Sequence, residues 1–370
     1  MPAVPHTPLD PATLGPDAQR ALGSPQSRMM AARGLLPIAR PRDLLSLLYQ
    51  VALDPDEALR AAAAASAAAL PDPVVRGGLA DPDTDPRVLD FFADVLAGAA
   101  GATELVISNP STADETLAAI AARASAAEVD RIATNEARLL RAPAVIAALY
   151  HNPRARMSTV DRVVELAVRN GVKVAGIPAW EEIQKVYAPG SREREGDAAA
   201  GDAAQADAMF SRAAGRNAAR AEQAGGDAGT PTDGESKEIW ALPVPMKIRL
   251  ATLGNAFDRA VLIRDPKKVV AMAAIKSPGV TDSEVVKYAG LSTLPEEVIG
   301  YIAGRREWTK LYSVKLALVN NPKCPIGAAM RLLPHLREKD QDALARSKGI
   351  PSALAAQARK LKMQRQPGRR

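Results

Sequence analysis

An apolar stretch that ends in Asn-Pro and is followed by a second apolar stretch recurs along this 370-residue chain. Such a recurrence constrains the architecture more than any local motif does. Leu105-Val106-Ile107-Ser108-Asn109-Pro110 is one copy, and Ile146-Ala147-Ala148-Leu149-Tyr150-His151-Asn152-Pro153 is the next. Leu316-Ala317-Leu318-Val319-Asn320-Asn321-Pro322 is a late copy. Ala273-Ala274-Ile275-Lys276-Ser277-Pro278 carries Ser for Asn, and Leu250-Ala251-Thr252-Leu253-Gly254-Asn255 is a weaker version. Proline drives the residue before it out of helical geometry, and Asn or Asp there accepts a hydrogen bond from a free amide of the next helix. Each dipeptide is therefore a corner where one helix stops and another is capped. Asp54-Pro55 and Asp85-Pro86 read the same way.

Pro110 to Pro153 spans 43 residues and Pro278 to Pro322 spans 44. Apolar positions recur at similar offsets after each corner: Leu117, Ile120 and Ala121, then Val285, Val286 and Ala289, then Ala329, Leu332 and Leu333. Spacings of three, four and seven place them on one helix face, toward a neighbouring hairpin. Hydrophobic residues make up 47% of the chain, but many are alanine and aromatics reach only 4%. That balance favours helices packed through small side chains. Alternating runs of β-branched residues are missing, which argues against a sheet. The predicted fold is all-α, with tandem helical hairpins stacked as an α-solenoid in two repeat blocks joined by a flexible linker.

Composition sets the boundaries. Residues 1–26, rich in Pro, Asp and Thr at their start, read as a disordered lead-in, and 27–187 as the first repeat block. Residues 188–236 are built of Ala, Gly, Asp, Glu, Arg and Gln, bury too little to repay their ordering entropy, and read as the linker. Residues 237–363 form the second block and 364–370 a basic tail. Ile177-Pro178-Ala179-Trp180 is expected to close the first array.

The corners Asn109-Pro110, Asn152-Pro153 and Asn321-Pro322, with Cys324-Pro325 beyond the last, resemble the loop of the variant leucine-rich repeat and, more loosely, HEAT-like repeats. The resemblance implies a right-handed superhelix of paired helices and a binding scaffold. Neither family carries catalytic residues to transfer.

The net charge of +6 hides an asymmetry. From Lys237 onward there are 25 Lys and Arg against 11 Asp and Glu, a net +14, while the remainder carries −8. Chemistry-bearing motifs are sparse. The three histidines, His6, His151 and His335, have no metal-ligand spacing, and Cys324 is the single cysteine. Gly98-Ala99-Ala100-Gly101 lacks the form of a phosphate loop. No cofactor or metal is expected, and the chain is not expected to be an enzyme.

One segment stands out as a partner-binding candidate: Arg305, Arg306, Trp308, Lys310, Tyr312 and Lys315 interleave four cations with two of the few aromatics. On a continuous helix Trp308 and Tyr312 share one face, as do Arg306 and Lys310. Against a docking role stands Trp308 as a plug between hairpins, beside the apolar stripe of Leu311, Val314 and Leu318. The leading expectation is a non-enzymatic protein–protein scaffold or adaptor. The alternative is a nucleic-acid-binding repeat protein using the basic second block, and the deciding observation is whether its cations gather on one surface. No apolar run approaches the ~20 residues needed to cross a bilayer, so no membrane insertion is expected. The start, Met1-Pro2-Ala3-Val4-Pro5, lacks the features of a signal peptide, which makes a cytoplasmic location the expectation.

Overall fold

The computed structural model describes residues 3–99, 101–187, 207–208, 233–347 and 349–365. Among these the chain is all-helical, with 24 α-helices and no strand. Two compact units divide at residues 177 and 178. Apart from 207–208 and 233–236, the expected linker 188–236 lies outside the described residues, as does 366–370 of the basic tail.

The first unit holds α1 Pro16–Leu22, α2 Pro25–Ala32, α3 Pro41–Ala52, α4 Glu57–Ala68, α5 Asp72–Leu79 and α6 Pro86–Val95, then α7 Ala102–Ser108, α8 Asp114–Arg123, α9 Ala126–Ala133, α10 Glu136–Arg141, α11 Pro143–His151 and α12 Met157–Arg169. Many open with Pro in the first turn, where its missing N–H costs nothing. Past α3, helices pack on partners two or three positions back in the chain: α5 lies on α3, α7 on α5 and α9 on α7, with α6 on α4 and α8 on α6, while α11 lies on α8 and α12 on α9. The small-residue packing expected from composition is visible. Ala63 and Ala67 of α4 are fully buried, and a Cβ on Gly78 of α5 would sit 2.2 Å from Leu45 Cδ1 of α3.

The second unit holds α13 Trp180–Tyr187, α14 Asp233–Ala241, α15 Val244–Leu253, α16 Ala256–Leu262, α17 Lys268–Lys276 and α18 Asp282–Gly290, then α19 Glu296–Gly304, α20 Arg306–Thr309, α21 Tyr312–Asn320, α22 Ile326–Leu332, α23 Glu338–Arg346 and α24 Ser352–Arg365. Here α17 packs on α15, α19 on α17 and α21 on α18. Trp180, expected to close the first array, is buried at the start of α13 in this unit.

Asp85 and Asn255 cap the helices that follow them, as expected: Asp85 accepts from the Arg87 amide at 2.9 Å and Asn255 from the Asp258 amide at 3.0 Å. The three Asn-Pro corners work differently. Asn109, Asn152 and Asn321 each end the helix before the proline, and none caps the helix after it. The side-chain oxygen accepts from the amide two residues on: Ser111, Arg154 and Lys323 respectively, at 2.8 to 3.0 Å. The side-chain Nδ2 reaches back about thirty residues to carbonyls at or just beyond the C-terminal end of an earlier helix. Asn109 donates to Leu79 and Asp81 at 2.7 and 2.9 Å, and Asn152 to Ala121 and Ala124 at 2.8 and 2.9 Å. In the Ser277 variant, one hydroxyl bond to Thr252 at 2.8 Å does the same work.

Residues 3–26 overturn the expected disorder. The His6 ring lies 2.9 Å from the buried Asp90 carboxylate and edge-on to Tyr49 and Phe91. Leu9 and Leu14 are buried, the Leu9 amide donates to Gln50 at 2.8 Å, and the Tyr49 hydroxyl donates to the Thr7 carbonyl at 2.9 Å. Few apolar groups are needed, because side chains of the first unit satisfy polar groups of its first residues.

Candidate functional site

The basic-aromatic segment does not form one helix. The α20 turn ends at Lys310, and Leu311 takes an extended conformation (φ −70°, ψ 127°) before α21 begins. Within the turn the Thr309 hydroxyl donates to the carbonyls of Arg305 and Arg306 at 3.1 and 3.3 Å, competing with the helical ladder. The break splits the six candidates into three groups.

Arg305 and Trp308 gather on Tyr301 of α19. The Arg305 guanidinium lies 4.9 Å from the Tyr301 ring centroid, and its Nε donates to the Tyr301 hydroxyl at 3.0 Å. Trp308 meets the same ring edge-on at 5.9 Å, and Lys276 Nζ stands 5.4 Å from its centroid. Trp308 is half-buried, neither a sealed plug nor a bare anchor. Tyr312 turns to α23: its hydroxyl donates to the Asp340 carboxylate and accepts from the Arg337 amide at 3.1 Å, with the Arg337 guanidinium 4.7 Å from the ring. Desolvation and the bond to Asp340 hold its pKa above the ordinary value.

Arg306, Lys310 and Lys315 do converge. With Thr309, Arg331, Leu332 and His335 they line an open groove of about 480 Å³. Lys315 comes from α21 and Arg331 from α22, which pack on each other, so both cations stand on rigid elements. No Asp or Glu lines the groove. Among the described residues none of Arg306, Lys310, Lys315 and Arg331 has a carboxylate within ion-pair distance. Four like charges held together without a counter-charge present an anion-seeking surface. Arg331 and His335 were missed in sequence because they lie 16 and 20 residues beyond Lys315, across a corner.

The other candidates have structural roles. Cys324 is buried in the Asn321 corner, at the place held by Thr112 after Asn109 and by Ala155 after Asn152. Burial pushes its thiol up to about 11, so it is protonated at neutral pH and a poor nucleophile. The His151 ring lies 2.9 Å from the Gly176 carbonyl and edge-on to Tyr150. Among the described residues no group of three His, Cys, Asp or Glu is placed to hold a metal ion, and no helix is long and apolar enough to cross a membrane.

No family model matches the chain, and no match was found among curated proteins or solved structures.

Proposed function

We propose that the chain is a non-enzymatic, cytoplasmic interaction scaffold whose helical hairpins stack as an α-solenoid in two blocks, holding protein partners. Packing of helices on partners two or three positions back and the recurrent Asn staple support the stacked arrangement, which resembles that of variant leucine-rich and HEAT-like repeats. The observation that carries the binding reading is the groove itself: four cations from three successive helices line it, with no carboxylate in the lining. Charges left in mutual repulsion cost folding stability, and capture of an anionic partner is what such a cluster gains. Two such blocks on one chain would raise the effective concentration of a second contact once the first is made.

The gathering of cations in one groove also favours the second reading, nucleic-acid binding through the basic block. In-cell crosslinking of the full chain separates the two. Crosslinks from Lys310 and Lys315 to peptides of other proteins are expected. Photo-crosslinks of the same segment to DNA or RNA in their place would move the function to nucleic acid.

A further inference from the structure

We infer that the groove between Arg306 and His335 is a phosphoryl-binding site, and that it takes a phosphorylated side chain on a partner protein. The inference rests on the scaffold reading above and names the chemistry of its partner.

Charge stoichiometry comes first. An aspartate or glutamate brings one negative charge and two acceptor oxygens, whereas a phosphate monoester brings about 1.5 to 2 charges and three strong acceptors at neutral pH. Arg306, Lys310, Lys315 and Arg331 supply four fixed positive charges, with no carboxylate in the lining to absorb any of them. His335 adds a ring nitrogen as a further polar group. One carboxylate would leave most of that charge uncompensated, and a phosphoryl group offsets roughly half of it.

The donors also suit the ligand. Two guanidiniums offer planar forks that match pairs of phosphate oxygens, and two ammoniums act as compact point charges able to approach a third oxygen. Lys315 and Arg331 stand on packed helices, so part of the donor set is pre-organised, which lowers the cost of binding.

Size and lining favour a peptide over a nucleic acid. A volume of about 480 Å³ holds one phosphorylated side chain and its neighbours. Single-strand recognition depends on rings on which bases stack. Among the described residues no Trp, Tyr or Phe lines the groove, and His335 is its single ring, too few for successive bases to stack: Trp308 faces Tyr301, and Tyr312 lies under Arg337. Leu332 supplies an apolar wall for a residue flanking the phosphate.

The test uses the full chain and three fluorescent degenerate peptide pools that differ only at the central position: phosphoserine, serine or glutamate. Binding is read by polarisation at roughly 0.15 M salt, where distant surface charges are screened. The phosphoserine pool should bind at least about tenfold more tightly than either other pool, a difference of about 1.4 kcal/mol. The double variant Lys315→Gln/Arg331→Gln should lose that preference, with its helical circular dichroism intact and its melting temperature equal or higher, because repulsion is relieved. Inorganic phosphate should raise the melting temperature of the wild type and not of the double variant.

Equal binding of the phosphoserine and glutamate pools would overturn the phosphoryl assignment while leaving the scaffold reading in place. A phosphate-induced rise in melting temperature with no preference among the pools would make the ligand free phosphate and sink the peptide half of the inference. Tighter binding of an oligonucleotide, lost in the same double variant, would overturn the inference and the scaffold reading together. No response to any of these anions would overturn the site.

Discussion

The side-chain amide of Asn321 donates at 2.8 Å to the carbonyl oxygen of Ala289, 32 residues earlier in the chain. It donates again to Leu291 at 3.2 Å, while its own oxygen accepts from the Lys323 amide at 3.0 Å. One buried side chain thus ties the end of its own helix, the corner after it and the end of an earlier helix. Asn109 and Asn152 repeat the arrangement. Aspartate cannot replace asparagine here, because it offers two acceptors to two carbonyls.

Substitution of Asn152, which is fully buried, tests the staple. Asn152→Asp should cost the first unit about 2–4 kcal/mol, since it strands two carbonyls and buries a charge. Asn320→Ala is the control, because Asn320 is exposed and bonds only within its own helix. Urea denaturation should show a marked loss for the first and at most about 0.5 kcal/mol for the second.

A second prediction concerns the buried pair of Arg259 and Glu284, with side chains 6% and 9% exposed. Arg259 donates from Nε and Nη2 to the Glu284 carboxylate at 3.0 and 2.9 Å, and the Thr281 amide donates to it at 2.9 Å. Burial by itself would raise the Glu284 pKa, but the guanidinium and the amide overcome it, and the value stands below the ordinary one. A depressed carboxylate contributes stability that is fully present above its unfolded pKa and lost as pH falls through its folded one. Glu284→Gln should therefore cost about 3–5 kcal/mol at neutral pH, by leaving Arg259 buried and unpaired. The gap between wild type and variant should shrink once the pH drops below about 4. A gap that stays constant from pH 7 to pH 3 would show that the pair does not titrate as a unit.

The N-terminal segment gives a third. Leu14 is 6% exposed in a stretch whose composition resembles a disordered tail. Leu14→Ala should destabilise the first unit by about 2–4 kcal/mol, and amides near Leu9 should exchange slowly with solvent. Rapid exchange at Leu9 together with an unchanged melting temperature would show that the segment is not docked.

How much was legible in sequence follows from the range of the interactions. Helix identity and corner positions were readable, because Pro, Asn and the apolar spacing act within a few residues. Leu44 to Val51, for instance, falls inside the observed helix Pro41–Ala52. The role of the corner asparagine was not readable, since its partners lie about thirty residues back and ordinary capping logic looks only forward. The docking of His6 failed for the same reason: Asp90 is 84 residues away. In the candidate segment the grouping of the six residues was not readable. A continuous helix would have paired Trp308 with Tyr312, and the break at Leu311 sends them to Tyr301 and Asp340 instead. Arg331 and His335 could have been found only by folding the next hairpin back onto the first.

The regrouping yields the last prediction, which separates the aromatic cluster from the groove. Trp308 packs edge-on against Tyr301 and does not line the groove, while Lys315 lines it. Trp308→Ala removes a half-buried edge-to-face contact and should cost about 1–3 kcal/mol of stability in the second unit. It should change anion affinity by less than about twofold, because the four cations keep their positions. Lys315→Gln should do the reverse, weakening anion binding by about tenfold while leaving stability equal or slightly improved. Thermal melts and phosphoserine-peptide titrations of both variants provide the two readouts. If Trp308→Ala abolished binding with its fold intact, the aromatic cluster would be the docking surface and the groove a bystander. If Lys315→Gln unfolded the unit, the lysine stem would be holding α21 against α22, and its cationic head would need separate testing through Lys315→Met.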